Sequence, residues 1–356
     1  MRAAGRRPLA LVSSMAFAAL AAAGCLALAP AEPGRPPALR LDRYIELPRA
    51  GLLSALDDMT VARGHLFVTS LSSGALLDVD LARTAGPLPV RSMGGGGAAH
   101  GVAIQAAAGV GFVTRGGLDA VDAFELGSLR PLQRIATPAG PDAALYDPAS
   151  GLVYVACAEA RQALLIDADR RRPVATIALP GRPEYAALDA ATGFVYQNLA
   201  DRQAMAVIDP RSRRLLGVQP LAHCEDPTGL ALDSAGRHAF VVCSGSRRLA
   251  VVDLRTDETV AALEIGPLSD SVAYDPGLRR VYVASGSGRL TVIGQDAGGR
   301  WRVVQRIATR LGAHTLTLDP QTHRVYVGYA GLLGRPRIAV FEPVPPGAGP
   351  AALPPR

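Results

Sequence analysis

The chain has 356 residues, with 37 basic and 31 acidic side chains and a formal net charge of +6; every base is arginine, because lysine is absent. At 49% hydrophobic and 19% charged residues, with 38 Gly and 28 Pro, it can fill a large core but is broken too often for long helices, which excludes disorder and coiled coil. After residue 30 no stretch nears the roughly 18 to 20 apolar residues of a spanning helix, and the mild charge falls short of the dense basic field of a dedicated nucleic-acid or anionic-membrane binder.

Residues 1–25 read as an export signal: Arg2, Arg6 and Arg7, then an apolar run from Leu9 to Leu20, then Ala21 to Gly24 ending at Cys25. Removing those three arginines takes the charge from +6 to +3. The ending Ala22-Ala23-Gly24-Cys25 resembles the bacterial lipobox, which makes Cys25 the expected lipidation site, although Ala22 stands where leucine is usual. The alternative is cleavage after Ala31, with Ala29 at the minus-three position, releasing a soluble protein. Arg6-Arg7 hints at twin-arginine export without the flanking residues of that pattern. Residues 26–42 form a Pro-rich tether. Residues 43–344 form the folded body, and residues 345–356 a Pro-rich disordered tail. The expected place is the periplasm or cell envelope, with or without a lipid anchor.

Repeats decide the fold. Five apolar segments end in an aspartate, at Asp147, Asp189, Asp233, Asp275 and Asp319, and seven residues later each is followed by an aromatic: Tyr154, Tyr196, Phe240, Tyr282 and Tyr326. Phe112 and Phe67 hold the same aromatic place further upstream, where the aspartate has become Gln105 and Thr60. Third segments end at Asp80, Asp122, Asp167, Asp209 and Asp253, and fourth segments follow, as in Val174 to Pro180. Seven repeats of about 43 residues, each with four short strands, predict an all-β, seven-bladed β-propeller of four-stranded blades. The seventh repeat runs into Pro343, Pro345 and Pro346 after its third strand, whereas Tyr44-Ile45-Glu46-Leu47-Pro48 matches Thr176-Ile177-Ala178-Leu179-Pro180 and has no blade of its own. Residues 43 to 48 are therefore expected to complete the last blade and hide its edges.

The segments Leu318 to Ala330 and Tyr274 to Gly294 look like the YVTN repeat, and the chain resembles the YncE-like family of secreted seven-bladed propellers over about residues 43 to 344. That resemblance implies a binding or otherwise unassigned periplasmic role, with single-stranded DNA binding known in the family. Related seven-bladed propellers include lactonases and the large subunits of amine dehydrogenases, so the chemistry has to be argued from the site.

The repeat aspartates read as turn residues whose carboxylates accept backbone N–H bonds, and Tyr154, Tyr196, Tyr282 and Tyr326 as core. Function is expected on the opposite face, where the innermost strands begin. Counting five residues back from the aspartate position gives Ala55, His100, Asp142, Glu184, Thr228, Asp270 and His314, with Asp57 and Asp58 close by. Arg161, Arg202, Arg247 and Arg289 recur six or seven residues after the aromatic. Acids inside and arginines outside suit a small polar or zwitterionic ligand or a periplasmic protein partner, bound without catalysis by a monomer. The plainer alternative is that the arginines only pair with neighbouring acids.

No metal is expected, because His100, His314 and the acids lie on separate strands without H-x-H or H-E-x-x-H spacing, and no cofactor motif appears. The rival is a lactonase-like or metal-assisted hydrolase using His100, His314, Asp142, Glu184 and Asp270. A second rival is a single-stranded DNA binder using the four arginines, against which one Trp and few aromatics argue. Gly94 to Gly97 read as a flexible linker, His65, His238 and His323 as surface residues, and Trp301 as packing in an outer strand. An exported body keeps Cys157, Cys224 and Cys243. Cys157 and Cys243 hold equivalent places two blades apart, too far for a bridge, whereas Cys224 enters the blade whose second strand Cys243 ends. A Cys224 to Cys243 disulfide is expected, with Cys157 a free buried thiol, the alternative being three reduced cysteines.

Overall fold

The computed structural model describes residues 38–49, 53–83, 88–329, 331–332 and 335–344; the signal, Cys25, most of the tether and the tail lie outside them. Seven four-stranded antiparallel sheets follow one another along the chain and form a seven-bladed β-propeller. Blade one starts with Leu56–Ala62, blade two with Ala99–Gln105, and blades three to seven with Pro141–Asp147, Pro183–Asp189, Pro227–Asp233, Ser269–Asp275 and Thr315–Asp319. The only helical pieces among the described residues are 3-10 turns at Ala106–Ala108, Gly116–Leu118 and Ala200–Arg202.

The last blade is built from both ends of the folded body. Leu39–Glu46 pairs antiparallel with Arg337–Pro343, placing Tyr44 opposite Ala339 and Ile45 opposite Ile338. The strand begins at Leu39, ahead of the expected start at residue 43. It begins earlier because the amide of the blade-six side chain Gln305 stands beside it. Gln305 Oε1 accepts from the N–H groups of Ala38 (2.7 Å) and Leu39 (2.9 Å), and its Nε2 donates to Leu39 O (3.1 Å). Arg280 adds a bond to Ala38 O at 2.8 Å.

Second and third strands are apolar on both faces because each side of a blade meets a neighbour. In Leu152–Cys157, Val153, Val155 and Cys157 pack toward blade two, while Tyr154 and Ala156 pack toward blade four. Every junction between adjacent blades has its own buried cluster, seven in all. The junction of blades seven and one uses Ile45 and Leu47 of the closing strand beside Leu56, Leu66 and Val340. Tyr154, Tyr196, Tyr282 and Tyr326 are all buried, and Trp301 stands edge-on to Phe240 at 5.0 Å.

The repeat aspartates brace the face opposite the channel mouth. Asp147, Asp189, Asp275 and Asp319 accept from N–H groups two residues on at 2.9 to 3.1 Å, and Asp233 from Gly236 N–H at 2.9 Å. Some also tie blades together: Arg237 of blade five reaches Asp189, Tyr274 of blade six donates to Asp233 at 2.9 Å, and His323 of blade seven pairs with Asp275. The three histidines read as surface groups are thus half-buried and engaged: His65 pairs with Asp78 at 2.8 Å, and His238 stands edge-on to Trp301.

Two expectations are corrected. Asp122 does not end a third strand, because that strand is Ala120–Glu125 and Glu125 takes the terminal place. Asp122 instead is 6% exposed between two arginines, 2.9 Å from Arg115 Nε and 2.7 Å from Arg134 Nε. The Gly94 to Gly97 run is a packed cap over that ion group and not a loose linker. Arg115 is fully buried, and a Cβ on Gly95 would lie 2.4 Å from its guanidinium; Gly96 and Gly97 have φ of +73° and +66°.

Replacing Gln305 by Leu should remove three bonds that seat the closing strand and lower stability by about 1 to 3 kcal/mol. In urea unfolding the midpoint should fall, with a second loss of similar size absent when the closing strand is already deleted. An unchanged midpoint would show that the ring closes without this side chain.

Candidate functional site

Six of the seven innermost strands start with an irregular step at the channel-mouth end, the blade-seven strand pairing regularly. Pairing skips from Leu56 to Met59, Ala99 to Val102, Pro141 to Ala144, Pro183 to Ala186, Pro227 to Leu230 and Ser269 to Ser271. Such bulges re-aim side chains beside functional sites. The residue after the skip point is Asp57, His100, Asp142, Glu184, Thr228 and Asp270 in turn, and His314 precedes the first strand of blade seven.

Blade one therefore contributes Asp57, not Ala55. Its hairpin between Ala62 and His65 is the two-residue Arg63-Gly64 turn, both with positive φ (+53° and +77°), the geometry of a type I′ turn. The other six blades use four-residue turns, as between Asp147 and Leu152. Counting back from the aromatic at a fixed offset overshoots by those two residues.

Buried polar groups hold the bulges. Thr114 Oγ1 donates to Asp142 O at 2.7 Å, Thr315 Oγ1 to Asp57 O at 2.5 Å, and Asn198 Nδ2 to Thr228 O at 2.8 Å. Gln197, fully buried, accepts from Tyr154 OH at 2.9 Å and donates to Glu184 O at 2.8 Å. None of these was legible as a site residue, since each acts across 12 or more positions of sequence.

The ring divides into clusters. His100 Nδ1 stands 2.7 Å from Asp57 Oδ2 and 3.5 Å from Asp142 Oδ1, and one donor atom from each of these three residues lies within 4.8 Å of the others. Across the mouth His314 pairs with Asp270 at 3.2 Å, and Glu184 with Arg182 at 2.5 Å. Asp58, one position on, accepts from Met59 N–H (2.8 Å) and Val102 N–H (3.1 Å).

Crowded carboxylates and partial burial retain protons here. Burial opposes the charge of His100, but the hydrogen bond to Asp57 and the fields of Asp57, Asp142 and Glu184 outweigh it and push the imidazole up to about 9. Burial, then Asp57, pushes Asp142 up to about 6. Burial and the Asp142 charge push Glu184 up to about 8 against the pull of Arg182. Burial pushes Asp58 up to about 7 although two N–H groups oppose it. His314 is likewise raised: burial works against its charge and Asp270 overcomes it. Tyr185, the next residue after Glu184, lies within the fields of Asp270, Asp58, Asp57 and Asp142.

The four arginines do not form one unengaged ring. Arg161 pairs with Asp201 of blade four at 2.8 Å, and Arg202 Nε donates to Pro180 O at 2.8 Å. Arg247 is exposed at φ +54°, and Arg289 opens the third strand of blade six, half-buried. Cys224 and Cys243 are joined by a disulfide with Cα atoms 4.8 Å apart, and Cys157 is a free buried thiol. The bridge holds the loop bearing Glu225 and Asp226 on the mouth face.

No family model matches the chain, and no curated protein matches its sequence. Solved structures do. A chain of hydrazine synthase from Kuenenia stuttgartiensis superposes with a TM-score of 0.70 at 16% identity, covering 81% of this chain and 95% of that one. The WD40 β-propeller domain of Doa1 superposes at 0.67 with 11% identity, covering 85% and 97%. At such identities the likeness concerns the fold alone.

Stability should fall as pH rises from about 5 to about 9. Each raised group binds more protons folded than unfolded, so the slope of unfolding free energy with pH is negative through its window. The His100 contribution is complete below its ordinary 6.5 and gone above about 9; the burial cost of Asp142, Asp58 and Glu184 grows as they ionise toward about 6, 7 and 8. The lowered carboxylates Asp167, Asp209 and Asp253 act with opposite sign at more acid pH. Thermal unfolding in chelator should show the decline and Glu184→Gln should flatten it; a flat or rising curve for the native chain would contradict the assignment.

Proposed function

We propose that this chain is an exported, non-catalytic propeller of the YncE-like kind that binds a cationic or zwitterionic polar ligand, free or as the basic segment of a periplasmic partner, at its channel mouth. The observation that supports this most is the set of strand-start bulges at Asp57, His100, Asp142, Glu184 and Asp270, with His314 bonded to Asp270 beside them. Acids and cations stand side by side in the inner ring, with Asp57, Asp58, Asp142, Glu184 and Asp270 beside His100, His314 and Arg182, a mixture that suits a polar ligand carrying both charges. The signal-like residues 1–25 support export, and the Cys224 to Cys243 bridge agrees with an oxidising compartment.

A hydrolase reading draws on one observation, the Asp57, His100 and Asp142 grouping. Single-stranded DNA binding is disfavoured by the engagement of Arg161 and Arg202.

Binding is tested by thermal shift in chelator against polyamines, basic amino acids and arginine-rich peptides. A stabilising ligand should lose about tenfold or more in affinity with Glu184→Gln or Asp270→Asn and be unaffected by Asp167→Asn on the other face. No ligand in the panel, or one indifferent to both mouth variants, would overturn the reading. Tight, salt-steep binding of single strands lost with Arg161→Ala and Arg247→Ala would replace it with the nucleic-acid reading.

A further inference from the structure

We propose that Asp57, His100 and Asp142 form a divalent transition-metal site of the Zn²⁺ and Mn²⁺ class, open toward the channel. The proposal deepens the mouth-binding reading and rests on it for location only.

The argument starts from convergence. The three residues come from blades one, two and three, so no local sequence spacing announces them; the bulges at 57, 100 and 142 turn successive innermost strands toward one point. Donors bound to one ion at about 2.0 to 2.2 Å stand about 2.9 to 3.6 Å apart. The observed separations of 2.7 Å and 3.5 Å about His100 Nδ1 lie within a few tenths of that range. All three donor atoms fall within 4.8 Å, so shifts of side chains alone suffice to close the set.

The chemistry selects the ion. One imidazole nitrogen and two carboxylate oxygens are a mixed donor set, suited to Zn²⁺, Mn²⁺ and their neighbours; Ca²⁺ and Mg²⁺ take oxygen cages. His100 has its other ring edge against Gly116, where a Cβ would stand 2.6 Å from Nε2, so Nδ1 is the nitrogen that faces the carboxylates. Both carboxylate backbones are held from behind: Thr315 Oγ1 bonds Asp57 O, and Thr114 Oγ1 bonds Asp142 O. Such outer support is what orients ligands in metal sites. Three protein ligands on one side leave coordination positions facing the channel, where water or an anionic group of a ligand fits. A zwitterionic ligand would then be met by the ion at its anionic group and by Asp270 at its cationic group.

The test uses tag-free full chain prepared from the periplasm, stripped with chelator, titrated calorimetrically with Zn²⁺, Mn²⁺, Ca²⁺ and Mg²⁺. One equivalent of Zn²⁺ should bind at micromolar or lower Kd, Mn²⁺ more weakly, and Ca²⁺ and Mg²⁺ at least tenfold more weakly than Mn²⁺. Asp57→Asn, His100→Gln and Asp142→Asn should each cost tenfold or more, while His323→Gln, on the other face, should change nothing. Folding of each variant is checked by its cooperative melt, and Mn²⁺ electron paramagnetic resonance gives a second readout on any variant that melts early. Absence of saturable Zn²⁺ binding, or binding that survives all three substitutions, overturns the proposal. Those outcomes leave the chelator-based ligand assay untouched, so the two failures are distinguishable.

Discussion

Backbone pairing between Leu39–Glu46 and Arg337–Pro343 is the constraint on which the molecule depends. A propeller has no core except the junctions between blades, and a ring of seven junctions exists only if the last blade meets the first. Making one sheet from both ends of the folded body couples closure to folding. The chain must bring together segments nearly 300 positions apart, a costly loop closure, but once it does so every junction is buried on both sides. Ile45 and Leu47 then belong to the same cluster as Leu56, the residue that starts blade one's bulge. Closure and the channel mouth are therefore mechanically adjacent.

From that constraint the two faces acquire different characters. On one face aspartates accept turn N–H groups and staple neighbouring blades. On the other, carboxylates stand at bulges and are crowded by one another, and burial holds Asp58, Asp142 and Glu184 above the usual carboxylate range. The same residue type is structural at Asp147 and exceptional at Asp142, five positions away. Hydrogen-bond donors make the difference: Asp147 has a turn amide, whereas Asp142 faces His100 and other acids.

The propeller and its closing strand were legible because repetition is a signal that averages over local irregularity; Tyr44-Ile45-Glu46-Leu47-Pro48 could be matched to an outer strand four blades away. The same averaging misplaced what departs from the repeat. A fixed offset from Phe67 pointed to Ala55, because nothing in the composition of Arg63-Gly64 demanded a hairpin two residues shorter. Asp122 was read as a turn residue since it fitted the pattern, although the buried Arg115 beneath the Gly94 to Gly97 cap already employed it. Gln197 and Thr114 escaped notice because a polar residue in a buried strand has a meaning only once the carbonyl it bonds is known. Metal spacing rules describe ligands on one helix or hairpin, whereas Asp57, His100 and Asp142 come together from three successive blades and share no local spacing.

The central claim is that strand-start bulges converge ligating groups of blades one, two and three at the channel mouth. Anomalous diffraction from crystals of the full chain grown with Mn²⁺ or Zn²⁺ examines this directly. A single strong peak within bonding distance of Asp57, His100 and Asp142 is the expected result. A map whose strongest peak lies on the opposite face, at the aspartate-bearing turns or beside His238 or His323, would contradict it.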